Sequence, residues 1–133
     1  MIFYSTDGNG PGFKELGFAH NPFLALVVPR PIGWISSVDQ HGVVNLAPFS
    51  FFNAVSSRPP MVFFGANGTH LTAGGEKDTL RNVRETGEFV ANLVTWDLRQ
   101  QMNDSSAPAP RDVDEMDAVG LAKLPSKFVK APR

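Results

Sequence analysis

Between residues 32 and 47 two apolar runs flank the tetrapeptide Asp39-Gln40-His41-Gly42. This arrangement predicts an antiparallel hairpin with strands over 32–38 and 43–47, because Gly42 can take the positive φ that closes so short a turn. A third strand is expected over 61–66, opened by Pro59-Pro60. Proline cannot donate to a ladder, so the pair marks a strand's first position and not its interior. Strands joined by tight turns must run antiparallel, which argues against a parallel sheet. Eleven Pro and twelve Gly are more than a helical bundle of 133 residues tolerates, because Pro removes a backbone donor and Gly disfavours helix interiors.

Outside the hairpin the pattern is short and varied. The first seventeen residues are Gly-rich, and an irregular arm is expected over 1–19. His20-Asn21-Pro22 has the look of a helix start, with Asn21 as cap, carrying a helix through Phe23 and Leu26 that ends before Pro29. Residues 48–58 read as a break: Pro48 interrupts the ladder, and Phe49, Phe51 and Phe52 alternate with Ser50 and Asn53. The clearest helix is expected over 76–86, capped by Asp78 or Thr79, with Leu80 and Val83 on one face and Gly87 just past its end. A strand over 88–94 should follow, with Phe89, Ala91 and Leu93 on one face. Asp97 is the expected cap of another short helix, 112–119 a helical turn, and 127–130 strand-like. About five strands with two or three short helices make a mostly β fold, a small β-barrel with inserted helices in one domain over 1–133.

Several functions have little support in the composition. Twelve Lys and Arg against thirteen Asp and Glu give a net charge of −1, without the basic surplus that nucleic acid demands. No apolar run reaches the roughly 18 to 20 residues of a bilayer-spanning helix, and no secretory leader is legible at the start, so a cytoplasmic protein is expected. There is no cysteine, which removes disulfides, thiolate metal sites and Cys nucleophiles together. His20, His41 and His70 stand at unrelated spacings, so no metal site is expected.

Three groups of residues can carry chemistry. The Phe residues around Ser50 and Asn53 suit a planar ligand rich in heteroatoms, the rings covering its face and the polar groups its edge; equally, the rings can be core and the polar groups can satisfy turn backbone. Lys77-Asp78-Thr79 at a helix start would favour a phosphate through free amides, the helix dipole and the Lys77 charge, with Asp78 turned to a cap or a neighbouring cation; it can also be an ordinary charged helix start. Arg30 would pair with a phosphate or stand as a surface cation. Ser36 and Ser37 need partners if buried, from a ligand or from a neighbouring strand. Trp34 is expected in the core or at an interface.

The run RPIGWISSVDQHGVVNLAPFSFFNAVSSRPPMVFFG, followed by KDTLRNVRETGEFVANLV and by QMNDSSAPAPRDVDEMDAVGLAKLPSKFVKAPR, resembles the flavin reductase-like family of FMN-binding split barrels. The resemblance covers Phe23 to Arg133 and rests on several motifs in order. It implies a homodimeric split β-barrel with FMN in a groove near the subunit interface. Arg30, Ser36 and Ser37 would then lie along the flavin. Asn45, Ala47, Pro48, Ser50 and Asn53 would surround the ring edge, ribityl chain and phosphate, and Lys77, Asp78 and Thr79 the phosphate end. The implied activity is that of an FMN-dependent oxidoreductase passing electrons from NAD(P)H through FMN to free flavin, oxygen or a partner protein, with no general acid or base named. The alternative is a flavin-binding electron carrier without turnover. Members of the family continue past the equivalent of Arg133 with strands that close the barrel, so an incomplete barrel is expected here.

Overall fold

A computed structural model describes residues 5, 6 and 10–133. The chain divides after Arg30 into two compact units. In the first, residues 13–17 form turns closed by the Phe18 amide on the Phe13 carbonyl (3.1 Å); the rest of the arm expected over 1–19 lies partly outside the described residues. Asn21 accepts a hydrogen bond from the Phe23 amide and opens helix α1, Pro22–Leu26, where the missing amide hydrogen of Pro22 leaves nothing unsatisfied.

The second unit is built on the expected hairpin. Strand β1 (Gly33–Val38) pairs with β2 (Val44–Phe49), Gly33 opposite Phe49 and Val38 opposite Val44. The Asp39 carboxylate accepts from the His41 and Val43 amides, both at 2.8 Å, and Gly42 sits at φ +88°. An Asx turn of this kind replaces backbone pairing with a side-chain acceptor and fixes the hairpin register. Pro48 does not end the ladder: it lies within β2 opposite Trp34. Because β2 is an edge strand in the order β2-β1-β5, a missing donor costs little there.

A second, two-stranded sheet follows, β3 (Phe52–Ser57) against β4 (Pro60–Phe64), with an irregularity between Ala54 and Ser56. Residues 52–57 were expected to be loop; FNAVSS has no strong strand alternation, and its extended form is stabilised by pairing with β4. Pro60 does open β4, as its lack of a donor suggests. The two sheets meet through aromatic rings. Phe52 lies over Gly33, where a Cβ would stand 2.4 Å from the ring, and Phe64 packs between Phe49 and Phe89 at centroid distances of 5.0 and 5.1 Å. Val55, Met61, Val62 and Phe63 leave this ribbon largely exposed, and the sheets do not close into a barrel among the described residues.

Helix α2 (Asp78–Thr86) starts two residues later than expected, with Lys77 as its N-cap residue, and ends at Gly87 in the left-handed conformation, φ 74°. It covers the β1–β2 face that carries Ser37 and Asn45. Strand β5 is only Val90–Asn92, antiparallel to β1; of Phe89, Ala91 and Leu93, only Phe89 packs, and Leu93 is exposed. A 3₁₀ turn (Trp96–Leu98) with Thr95 as its cap, and not Asp97, leads into α3 (Arg99–Asp104). Asp114 accepts from the Met116 and Asp117 amides and opens α4 (Glu115–Ala118). The opposite face of the hairpin is the core: Trp34, Val44 and Leu46 pack with Met116, flanked by Val94, Leu98, Met102 and Leu121. All six residues of β1 are buried. Residues 127–130 are not a strand; they form bends while the Lys130 amide donates to Glu88 and Leu124 and Arg133 exchange backbone hydrogen bonds.

Candidate functional site

Where β2, the start of α2 and the segment after α3 converge, the second unit forms a cavity of about 150 Å³. Six of the residues singled out from the sequence line it: Asn45, Ala47 and Pro48 from β2, and Lys77, Asp78 and Thr79 from α2. Phe49, residues 69–71 with His70 among them, the 105–109 loop and Glu115 complete its wall. Distant parts of the chain meet here because α2 packs across the hairpin, and the Asn45 amide donates to the Thr79 hydroxyl at 2.7 Å.

The helix start is stripped of side-chain caps. Among the described residues no side chain bonds its first amides, since Thr79 is engaged by Asn45 and Asp78 by cations. The Asp78 carboxylate, 8% exposed, accepts from Arg111, lies 3.2 Å from Arg81 and meets His70 Nε2 at 2.8 Å. Its negative charge is therefore compensated inside the fold, and the unbonded amides, the helix dipole and the Lys77 ammonium set the potential of the opening. Lys77 Nζ also stands 5.9 Å from the centre of the Phe49 ring, a distance at which ring and cation attract. Arg111 donates further to the Gly74 and Glu76 carbonyls, at 2.8 and 3.0 Å, and so ties the loop before α2 to the segment before α4.

The remaining sequence candidates stand elsewhere. Ser36 donates to the Pro132 carbonyl and accepts from Asn92, and Ser37 accepts from Asn82 at 3.2 Å; both hydroxyls are buried and satisfied within the fold. Ser50 occupies the bend between β2 and β3, and Asn53 is exposed with its carbonyl oxygen on the Ala54 amide. Arg30 belongs to the first unit, where its guanidinium donates to the Leu24 and Val27 carbonyls at the end of α1. Trp34 is core, its indole N–H on Ser105 at 2.9 Å.

Glu115 has no signal in the sequence, because α4 is one turn long and the residue reads as a charged helix start. Its Oε2 accepts from the Leu46 amide at 3.0 Å, a donor on the open edge of β2. Burial, with smaller contributions from Asp78 and Asp114, pushes its carboxyl up to about 7.

Residues 25–133 match the family model described as "Flavin reductase like domain", and the chain belongs to that family. An uncharacterized protein of Aquifex aeolicus is 44% identical over 110 residues, which are 83% of this chain and 55% of that protein; the chain spans about half the length of the curated relatives it matches. Among solved structures, nitrilotriacetate monooxygenase component B from Bacillus cereus superposes with a TM-score of 0.76 at 29% identity, covering all of this chain and 63% of that one. A putative flavin reductase with a split barrel domain from Shewanella frigidimarina gives 0.72 at 19% identity, with coverage of 100% and 63%. The fold is that of the split-barrel flavin reductases, mostly strands with short helices.

Proposed function

We propose that this chain carries the phosphate-binding part of an FMN-dependent oxidoreductase of flavin reductase type, which passes electrons from NAD(P)H through FMN to free flavin or another acceptor. The observation that carries the reading is the convergence of Asn45, Lys77 and Thr79 at an uncapped nine-residue helix start lining a cavity. Backbone amides at such a start, with a lysine beside them, favour a dianionic group. The size agrees with one end of the cofactor: about 150 Å³ is below the roughly 300 Å³ at which pockets enclose a whole drug-sized ligand, and suits a phosphate with its adjoining polyol.

Each residue then has a stated task. Lys77 supplies the charge, the first amides of α2 donate to phosphate oxygens, and the Asn45–Thr79 hydrogen bond fixes the wall against which the polyol rests. Arg111 and Arg81 neutralise Asp78, so that its carboxylate does not repel the anion. FMN, when bound, supplies the redox chemistry by accepting hydride from a nicotinamide, while the protein supplies position and electrostatics.

Titrating FMN into the protein and following flavin fluorescence tests the site. Saturable binding that Lys77→Ala weakens by about 1.5 to 3 kcal/mol, the range for hydrogen bonds to charged groups, is the expected result; equal affinity in the two proteins removes Lys77 from the site. Oxidation of NADH or NADPH by the FMN-loaded protein with added flavin as acceptor then separates a reductase from a flavin carrier that does not turn over.

A further inference from the structure

Glu115 is the one acidic wall residue of the cavity that no cation compensates. Among the described residues, Lys and Arg pair with Asp78, Glu76, Asp114 and Asp117, and none with Glu115. An ionised carboxylate in the wall of a small cavity that takes a phosphate would work against the ligand, because like charges at short range raise each other's proton affinity. The Leu46 amide holds the carboxyl in that wall at 3.0 Å, a position from which it cannot leave without exposing the open edge of β2.

We propose that Glu115 is the proton-accepting residue of this anion site: when a phosphate-bearing ligand enters beside Lys77 and the first turn of α2, the Glu115 carboxylate takes up one proton from solvent and lines the site as a neutral acid. The inference rests on the phosphate reading of the cavity and adds to it a residue and a coupled proton. Burial already favours the neutral form, with the carboxyl pushed up to about 7 before any ligand is present, so the ligand's charge has only to complete a shift that the fold has begun.

Other charged and titratable groups lie around the same cavity. The start of α2 presents Lys77 and Asp78, the preceding loop presents His70, and the residue before α4 is Asp114. Asp78 is held by Arg111 and Arg81, and Asp114 by Lys123 at 2.7 Å, so both stay compensated when the ligand binds. The 105–109 loop brings Ser, Ala and Pro to the wall, and β2 faces the carboxyl through the Leu46 amide.

The test is calorimetric titration of FMN into the protein in two buffers of different ionisation enthalpy, repeated from about pH 6 to about pH 8.5 with wild type and Glu115→Gln. The glutamine keeps an acceptor for the Leu46 amide and cannot take a proton. Above about pH 7 the phosphomonoester is already a dianion, its second ionisation lying near pH 6, so its own titration does not contribute there. The expected result is net proton uptake by wild type, an affinity that falls by up to about tenfold per pH unit above neutrality, and neither effect in Glu115→Gln, which binds FMN more tightly than wild type at the alkaline end. Binding without proton uptake, with the same pH dependence in both proteins, overturns the coupling and leaves the phosphate site standing. FMN that binds at no pH overturns the site and the coupling together. Should Glu115→Gln fail to fold, the same two-buffer titration of His70→Gln decides, because His70 is the other proton-accepting side chain of this wall: uptake that persists leaves Glu115 as its source, and uptake that is lost overturns the coupling.

Discussion

Gly33 shows how one missing side chain joins two sheets. A Cβ at this position would meet Phe52 Cδ2 at 2.4 Å and Cγ at 2.6 Å, so the ring rests directly on the backbone of the central strand. Gly33→Ala is expected to destabilise the fold by about 1 to 3 kcal/mol, the usual cost of forcing extra volume into a packed site, read as a lower urea midpoint; an unchanged midpoint would mean that the ring shifts freely. Nothing in the sequence distinguishes Gly33 from the turn glycines, since its constraint comes from a residue nineteen positions away. The same holds for Ser36 and Ser37. Their need for partners was legible from an apolar strand containing two hydroxyls, but the identity of those partners, Pro132, Asn92 and Asn82, depends on which elements come to rest against β1. Lys77 differs: the start of a helix is a local property, and a helix start at Lys77-Asp78-Thr79 was legible before the cavity was seen.

At the scale of elements, the loop before α2 is positioned by one guanidinium. Arg111 reaches the Gly74 and Glu76 carbonyls while pairing with Asp78, which binds the chain on both sides of the cavity's rim. Arg111→Ala should loosen residues 74–77 while sparing the β1–β2 hairpin. Amide exchange there is expected to rise about tenfold to about 150-fold, corresponding to the roughly 1.5 to 3 kcal/mol of hydrogen bonds to a charged group. Equal exchange in both proteins would show that Arg81 and His70 suffice to hold Asp78. The hairpin and α2 were legible because their signals are local, a turn glycine and a helix with a glycine stop. Strand β3 was not, because FNAVSS becomes a strand through pairing with β4, and the strand expected over 127–130 gives way to bends, where the Lys130 amide donates to the Glu88 carboxylate and Leu124 and Arg133 exchange backbone hydrogen bonds around them.

For the whole molecule, the half-buried Glu115 carboxyl links stability to pH. Its ordinary value of 4.5 rises to about 7 in the folded state, so between these values the folded protein holds a proton that the unfolded chain has released. Stability therefore falls as pH rises through that window, and the cost is complete above about 7. Urea midpoints of wild type, measured relative to Glu115→Gln, should decline from about pH 4.5 to about pH 7 and level off above it; a constant difference would place the carboxyl in contact with solvent. The sequence by itself determined the antiparallel hairpin, the α2 helix with its glycine stop, the lack of cysteine in these 133 residues and the resemblance to split-barrel flavin reductases, because turn geometry, helix termination and composition act over a few residues. Only the tertiary structure decided that Asn45 bonds Thr79, that Asp78 is neutralised by Arg111, and that Glu115 enters the same cavity. Each of these contacts joins residues more than thirty positions apart, brought together by the packing of α2 across the hairpin and of α4 against the edge of β2.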